Sequence, residues 1–225
     1  MSAIAERYRA VMRRIADAAD MGGRDPREVT LVAVTKTVGV AEIRDAIAAG
    51  IIDMGENRAQ EFVGKHGLFP DVNWHFIGSL QTNKVRDVVG RACLIHSVDS
   101  GHLLDAIDRR AAEKDVVQPV LLQVNVSGEA SKHGLAPDDA EEVLRAAADM
   151  EHVAVRGLMT MAPFGRPEDV RWVFRECAAL FARLCALRLN GIELTELSMG
   201  MTNDFEVAVE EGATIVRVGR AIFGR

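Results

Sequence analysis

Leu31-Val32-Ala33-Val34-Thr35-Lys36 is an apolar, β-branched run that ends on a lysine. A short run of this kind predicts a buried strand, which we place over Val29–Lys36. Side chains alternate along a strand, so Val32, Val34 and Lys36 share one face, and the lysine points to the mouth of any interior that the valines fill. An amine between apolar walls loses hydration, which favours its uncharged, nucleophilic form. Lys36 is therefore a candidate for forming a Schiff base with an aldehyde, although a lysine that ends a strand and extends into water shows the same pattern.

The rest of the chain alternates strand-like and helix-like segments. Eight β-branched runs predict strands: Val29–Lys36, Ile51–Met54, Trp74–Gly78, Ala92–Ser97, Pro119–Asn125, Val153–Met159, Leu194–Ser198 and Thr214–Val218. Six stretches between them have helical spacing: Val40–Ala49, Ala59–His66, Asn83–Val89, Gly101–Lys114, Asp138–Met150 and Glu168–Arg188. The segment before the first strand, Met1–Asp20, predicts an amphipathic helix.

Strand and helix in regular alternation predict an α/β fold, the (β/α)8 TIM barrel with an additional N-terminal helix, as a single domain over residues 1–225. Strands buried on both faces explain why Val120-Leu121-Leu122 is continuously apolar. An open doubly wound sheet is the alternative. It is disfavoured because Lys36-Thr37-Val38-Gly39 stands where that fold has a glycine-rich turn.

Composition and charge narrow the function classes. The chain has 225 residues, 48% of them hydrophobic, and a net charge of -6. The sequence has no basic stripe, so we expect no nucleic-acid partner. No apolar stretch is long enough to span a membrane, so we expect no membrane partner. Cys93, Cys177 and Cys185 have no zinc-like spacing and the six histidines show no ligand pattern, so we expect no metal site. We interpret the cysteines as reduced, buried thiols of a cytoplasmic protein.

The ends of the last two strands carry the residues of an anion site. In a TIM barrel the active site lies at the carboxyl ends of the strands, and the loops after strands 7 and 8 commonly bind phosphate. Ser198 offers a hydroxyl, and Gly200 and Gly219 let the backbone come close. A short helix beginning near Gly219 would direct free amides at an anion. Ordinary turn glycines are the alternative at either position.

An aldehyde-binding lysine and a phosphate site at one barrel mouth together suggest pyridoxal phosphate. Arg217 would then face the pyridine nitrogen, unless it forms a salt bridge at the barrel rim. A cation beside the nitrogen disfavours its protonation, which makes the ring a weaker electron sink. His75, between Trp74 and Phe76, fits a hydrogen-bonded core histidine better than a catalytic base.

The run Trp74-His75-Phe76-Ile77-Gly78-Ser79-Leu80-Gln81-Thr82-Asn83-Lys84 resembles the signature of the pyridoxal-phosphate homeostasis protein family. Further segments that resemble the family follow the same order along nearly the whole chain: Leu31–Lys36, Gly55–Arg58, Gln123–Asn125, Gly157–Met161, Leu197–Met201 and Val216–Gly224. The resemblance implies a barrel related to the barrel domain of alanine racemases that holds pyridoxal 5'-phosphate as a Schiff base. Carried over by position, the cofactor-binding residues are Lys36, Asn57, Ser198, Arg217, Gly219 and Arg220.

The resemblance also implies roles for these positions. Ser198 would bind the phosphate together with the backbone of Gly219 and Arg220. Two departures from the family pattern are present. Thr202 and Asn203 stand where serine and an acid are usual, and Arg220 stands where a small or hydroxyl residue is common.

Family members are thought to buffer and deliver the cofactor in vitamin B6 homeostasis without an established reaction of their own. The expected partners are therefore pyridoxal phosphate and apo enzymes that depend on it, and we expect a monomer. A small amino-acid racemase is the alternative, but it needs an acid/base group on each face of its substrate. The single tyrosine, Tyr8, lies in the N-terminal helix. A class I aldolase acting through Lys36 is a third possibility, and it would not retain a pyridine cofactor.

Overall fold

Eight parallel strands close into a barrel in which each strand pairs with the next in sequence and the last pairs with the first. The computed structural model describes residues 2–129 and 132–224. The strands are β1 Thr30–Val34, β2 Asp53–Glu56, β3 Asn73–Phe76, β4 Leu94–Val98, β5 Gln118–Gln123, β6 Val153–Met159, β7 Glu196–Met201 and β8 Ile215–Val218. The barrel closes where β1 and β8 pair in a register that aligns Val32 with Arg217. The predicted (β/α)8 barrel is confirmed.

Helices cover the outside of the barrel. They are α1 Ala3–Met21, α2 Val40–Ala48, α3 Ala59–Leu68, α4 Val85–Val88, α5 Gly101–Glu113, α6 Ala140–Ala147, α7 Pro167–Ala186, α8 Phe205–Glu210 and α9 Arg220–Phe223, with 3-10 turns at Pro26–Glu28 and Thr82–Lys84. The predicted N-terminal helix is α1, whose first turn is capped by Ser2 accepting from the amide of Ala5 at 3.2 Å. None of the helices in the described part of the chain is long and apolar enough to cross a membrane.

Helix α8 was not predicted, because it is short and mostly buried. Four of its six residues are buried, and its polar face consists of Glu206 and Glu210 alone, which is too short a pattern to predict a helix. It packs closely on β7 at Gly200, which has a φ of +90°. A Cβ atom there would lie 2.6 Å from Cβ of Ala208. Gly200 is thus required by the packing of α8.

Strand β1 ends earlier than predicted. Val32 is fully buried in the barrel interior and Val34 is half-buried, as the alternation requires. The strand stops at Val34, and Lys36 lies two residues further on, in a turn where Thr37 has a φ of +63°. Lys36 still lies at the barrel mouth, as predicted, because the turn continues from the carboxyl end of the strand.

Two of the three cysteines differ from the prediction of buried thiols. Cys177, on the inner face of α7, is buried, and burial raises the pKa of its thiol to about 12. Cys93 and Cys185 are exposed. They lie at a strand entrance and near the end of α7, where the chain passes from the core to the surface.

Gly78 packs against the backbone of Asn57 and connects β3 to the barrel mouth. A Cβ atom on Gly78 would lie 2.0 Å from the carbonyl oxygen of Asn57, a contact that no rotamer change can relieve.

We expect Gly78→Ala to lower the free energy of unfolding by about 3 kcal/mol or more. Gly64→Ala is the matched control, because Gly64 lies in α3 with nothing within 4 Å of an added Cβ. This control should be neutral or stabilise by up to about 1 kcal/mol. Urea unfolding measures both, and an equal effect would contradict the assigned packing.

Candidate functional site

A cavity of about 480 Å³ opens at the carboxyl end of the barrel. Its walls come from the segments that follow β1, β6, β7 and β8, so it lies to one side of the barrel axis. Four of the six predicted site residues line it: Lys36, Arg217, Gly219 and Arg220. The other two, Asn57 and Ser198, do not line it.

Lys36 is the lysine that this cavity contains. Its side chain is exposed, and its amine has no hydrogen bond or ion pair with any residue in the described ranges 2–129 and 132–224. Three other lysines donate to backbone carbonyls: Lys65 to Thr35, Lys114 to Val89 and Lys132 to Met161. Lys84 is exposed outside the cavity. Lys36 is thus the free amine at the barrel mouth.

A buried ion pair supports the turn that carries Lys36. The carboxylate of Glu56 is fully buried at the end of β2. Its Oε1 accepts from Nζ of Lys65 at 2.5 Å and from Oγ1 of Thr35 at 2.6 Å. Lys65 also donates to the carbonyl oxygen of Thr35 at 2.7 Å. Because Thr35 precedes Lys36, these contacts fix the backbone from which the free amine extends.

Asn57 follows Glu56 and lies beside this cluster. Its amide N–H donates to Oε2 of Glu56 at 3.2 Å. Its side-chain Oδ1 is buried without a hydrogen-bond partner in the described residues. An unsatisfied buried acceptor is uncommon in folded proteins and costs free energy. The oxygen is therefore a buried acceptor without a described donor, and the predicted contact of Asn57 with a cofactor stays a prediction.

Arg217 forms the floor of the cavity and is 4% exposed. Its Nη1 donates to Oγ of Ser198 at 2.6 Å, and its Nη2 donates to the carbonyl oxygen of Thr160 at 2.9 Å. Burial lowers the pKa of the guanidinium to about 10, partly offset by Asp204, so the group stays charged at neutral pH. A salt bridge at the rim, the alternative considered for this residue, does not form with the described carboxylates.

Two buried histidines continue inward from Ser198. Nδ1 of His96 lies 2.9 Å from Oγ of Ser198, and Nε2 of His96 lies 2.9 Å from Nδ1 of His75. Nε2 of His75 lies 3.2 Å from Oδ1 of Asp53. Burial, together with His75 and Arg217, holds the pKa of His96 well below its ordinary value of 6.5. The prediction that His75 is a hydrogen-bonded core histidine is confirmed.

The cavity wall that follows β7 and β8 carries the groups predicted to bind an anion. Gly219 precedes α9, and the first amides of a helix have no intrahelical acceptor. Thr202 lies opposite, in the segment after β7, and Nη2 of Arg220 donates to Oδ1 of Asn203 at 3.3 Å. Two of the three positions at which the chain departs from the family pattern, Asn203 and Arg220, therefore contact each other. The predicted hydrogen bond from Ser198 to a phosphate stays a prediction, since its hydroxyl faces Arg217 and His96.

Sequence reasoning assigned no role in the site to Thr202 or His96, and it interpreted Asp204 as a solvated or structural carboxylate. Thr202 directly follows β7, and that position alone could have marked its hydroxyl as a site group. His96 interrupts the apolar run Leu94-Ile95, which is an equally clear signal of a polar group inside the barrel. Asp204 is buried and its Oδ1 accepts from the amide of Met201 at 2.6 Å, while burial raises its pKa. This contact depends on a turn that the sequence does not specify.

Residues 2–225 match the family described as alanine racemase, N-terminal domain. The chain is 44% identical to the pyridoxal phosphate homeostasis protein of Aquifex aeolicus over 222 residues, which cover 97% of this chain and 96% of that protein. It is 38% identical to the protein of the same name from Escherichia coli K12, covering 100% and 97% of the two chains. The chain belongs to the family of pyridoxal phosphate homeostasis proteins.

Solved structures of the family have the same fold. PipY of Synechococcus elongatus, in a structure described as having pyridoxal phosphate (PLP) bound, superposes with a TM-score of 0.86 at 37% identity. The match covers 98% of this chain and all of PipY. Alanine racemase of Corynebacterium glutamicum is 18% identical with a TM-score of 0.70, and 60% of that chain is covered. This second likeness concerns the barrel fold alone.

The buried state of His96 has a consequence for stability in acid. The unfolded chain binds a proton at His96 below about pH 6.5, whereas the folded protein does not, so stability decreases as the pH falls below that value. We expect the free energy of unfolding to change by up to about 1.4 kcal/mol per pH unit from this residue. His96→Gln should reduce the slope between pH 5 and 6.5, and the exposed His102→Gln should not. An unchanged slope in His96→Gln, measured by urea unfolding, would show that His96 is protonated in the folded state.

Proposed function

We propose that this chain binds pyridoxal 5'-phosphate as a Schiff base on Lys36, and that it sequesters and delivers this cofactor in vitamin B6 homeostasis. The observation that carries the proposal is the free amine of Lys36 in one cavity with the buried cation of Arg217. The names of the relatives and the description of PipY with PLP bound support the same cofactor. We further propose a cytoplasmic monomer that forms a single domain over residues 1–225.

The residues present fit the chemistry of this cofactor. An aldehyde needs an uncommitted amine, which Lys36 provides, and a phosphate needs donors, which the amides after Gly219 and the hydroxyl of Thr202 provide. Asn57 lies outside the walls of the cavity, so the fit rests on the other residues. Arg217 presents a cation to a ring nitrogen. When bound, the cofactor supplies an aldehyde carbon and an electron-withdrawing ring.

The same residues favour retention of the cofactor over turnover. The guanidinium of Arg217 stays charged, so it disfavours a proton on the adjacent nitrogen and weakens the ring as an electron sink. Tyr8 lies on α1 and does not line the cavity, so it does not supply an acid/base group opposite Lys36. The names of the relatives, which are those of homeostasis proteins, agree with the prediction that the chain is not an enzyme. The likeness to alanine racemases lies in the fold. The membership of this chain in the family of homeostasis proteins argues against the third alternative, a class I aldolase.

Delivery to apo enzymes is consistent with the position of the site. Lys36 is exposed at the barrel mouth, where the aldehyde carbon would be accessible to an incoming amine. Phe164, at the same mouth, is 92% exposed, so this side of the cavity is not closed by the protein. We therefore propose that apo enzymes dependent on pyridoxal phosphate are the recipients.

Lys36→Ala should abolish covalent attachment of the cofactor, because the other described amines either lie outside the cavity or donate to carbonyl oxygens. We expect the wild type to purify yellow, and borohydride reduction followed by peptide mapping should place the label on Lys36. Lys84→Ala is the matched control, since Lys84 is exposed outside the cavity, and it should behave as the wild type. A label confined to another lysine would disprove the proposed attachment.

The carrier function predicts delivery without catalysis. Holo protein mixed with an apo enzyme dependent on pyridoxal phosphate should restore the activity of that enzyme. The same holo protein in deuterium oxide should exchange the α-hydrogen of L- or D-alanine no faster than free cofactor does, because Tyr8 lies outside the cavity and supplies no acid/base group opposite Lys36. Exchange at enzyme-like rates with inversion at the α-carbon would instead establish a racemase.

A further inference from the structure

Arg217 is a buried cation without a direct counterion. Within residues 2–129 and 132–224, no carboxylate lies within ion-pair distance of its guanidinium. Burial of an unpaired charge is costly, so buried arginines usually contact an acid. Here two N–H groups donate to neutral oxygens instead, the hydroxyl of Ser198 and the carbonyl of Thr160. The charge is therefore balanced at longer range, in part by Asp204, which lines the same cavity without an ion pair to the guanidinium.

The first of these oxygens begins a chain of hydrogen bonds that crosses the barrel. It passes from Ser198 on β7 to His96 on β4, then to His75 on β3, and ends at Asp53 on β2. The three contacts measure 2.9, 2.9 and 3.2 Å. The chain therefore joins a cation at the cavity to a carboxylate on the far side of the interior.

The acceptor and donor capacities of these groups fix the direction of the chain. Arg217 only donates, and a carboxylate such as that of Asp53 only accepts. If both histidines are neutral, the hydroxyl proton of Ser198 goes to Nδ1 of His96, and Nε2–H of His96 goes to Nδ1 of His75. Nε2–H of His75 then goes to Asp53. In the opposite direction, the unprotonated Nε2 of His75 would face the carboxylate of Asp53, which is repulsive. The hydroxyl proton of Ser198 would then have no acceptor on His96.

We propose that Ser198, His96 and His75 are positioning residues that hold Arg217 through a one-way hydrogen-bond relay anchored on Asp53. The relay rests on the proposed function only in that Arg217 faces the cofactor. A carboxylate placed directly on the guanidinium would take up N–H groups and offset the charge at the cavity. A relay that ends on Asp53 fixes the guanidinium without a carboxylate in direct contact with it, so its remaining N–H groups stay available at the cavity, where Asp204 offsets the charge at longer range.

The relay also assigns the one proton of the Ser198 hydroxyl to His96. A hydroxyl has a single donor, so Ser198 cannot donate to a phosphate oxygen while the relay is formed. The relay and a donor bond from Ser198 to phosphate are thus mutually exclusive. The phosphate donors that remain in the cavity are the amides after Gly219 and the hydroxyl of Thr202.

The first test examines the ligand-free protein, so it does not depend on cofactor binding. Two-bond ¹H–¹⁵N spectra distinguish the tautomers of each histidine ring near neutral pH. We expect His96 and His75 both to carry the proton on Nε2, with Nδ1 unprotonated. A proton on Nδ1 of His96, or an imidazolium at either position, would overturn the relay.

The second test separates positioning from packing with two substitutions at His96. Asparagine places its amide near the position of Nδ1 and can still accept from Ser198, whereas glutamine places it near Nε2 and cannot. His96→Asn keeps the acceptor for Ser198 but loses the contact with His75, so we expect it to bind pyridoxal phosphate about threefold more weakly than the wild type. His96→Gln should bind about tenfold more weakly and with a shifted band. The exposed His102→Gln serves as the control.

The outcomes separate the two proposals. Equal affinity and equal spectra in both His96 variants, or losses that follow only their thermal stability, would overturn the positioning role. A wild type that does not bind pyridoxal phosphate would refute the proposed function, and the tautomer spectra would still decide whether the relay exists.

Discussion

A guanidinium buried among parallel strands needs hydrogen-bond acceptors from those strands and the segments that follow them, because burial removes most of its contact with water. Arg217 is in this position on β8. A TIM barrel interior is normally filled by branched apolar side chains, and Val32, Leu121 and Ile215 follow that rule here. Ser198, His96 and His75 lie among these apolar side chains. Ser198 accepts a hydrogen bond from Arg217, and the two histidines are joined to it through further hydrogen bonds. The chemistry at the barrel mouth thus depends on a polar arrangement within the barrel.

The barrel brings these groups together through alternation and register. Side chains two residues apart share the interior face, so a strand can place one polar group in the core and another at the mouth. On β8 and the segment that follows, Arg217 lies on the floor of the cavity and Gly219 on its wall. On β1 the same spacing leads from Val32 in the interior to Lys36 at the mouth. The cavity lies over the four strands β1, β6, β7 and β8, and this explains why Asn57, after β2, does not line it.

The lysines differ in function because they differ in their partners. Lys65 is tied to the buried Glu56, where removal of either charge would leave the other unpaired in the core. Lys36 has no such partner in the part of the chain that the structure describes, and its backbone is held by the Glu56 cluster. A fixed backbone with a free amine is suited to holding an aldehyde, and the exposure of that amine is suited to releasing it. The site therefore combines retention with access.

Apart from Arg220, which came from the resemblance to the family, the sequence by itself determined the barrel, its eight strands, the N-terminal helix, and the placement of Lys36, Arg217 and Gly219 at the barrel mouth. These features depend on periodicity along the chain and on residues at strand ends, which are local properties. It did not reveal the relay from Ser198 to Asp53, the contact between Arg220 and Asn203, or the position of Thr202 in the cavity. Each of these joins residues that lie on different strands or loops, and one of them, between His96 and Ser198, spans 102 positions. Only the tertiary structure decides such contacts, because closure of the barrel sets which interior side chains face each other and therefore where the single proton of a hydroxyl or an imidazole can go.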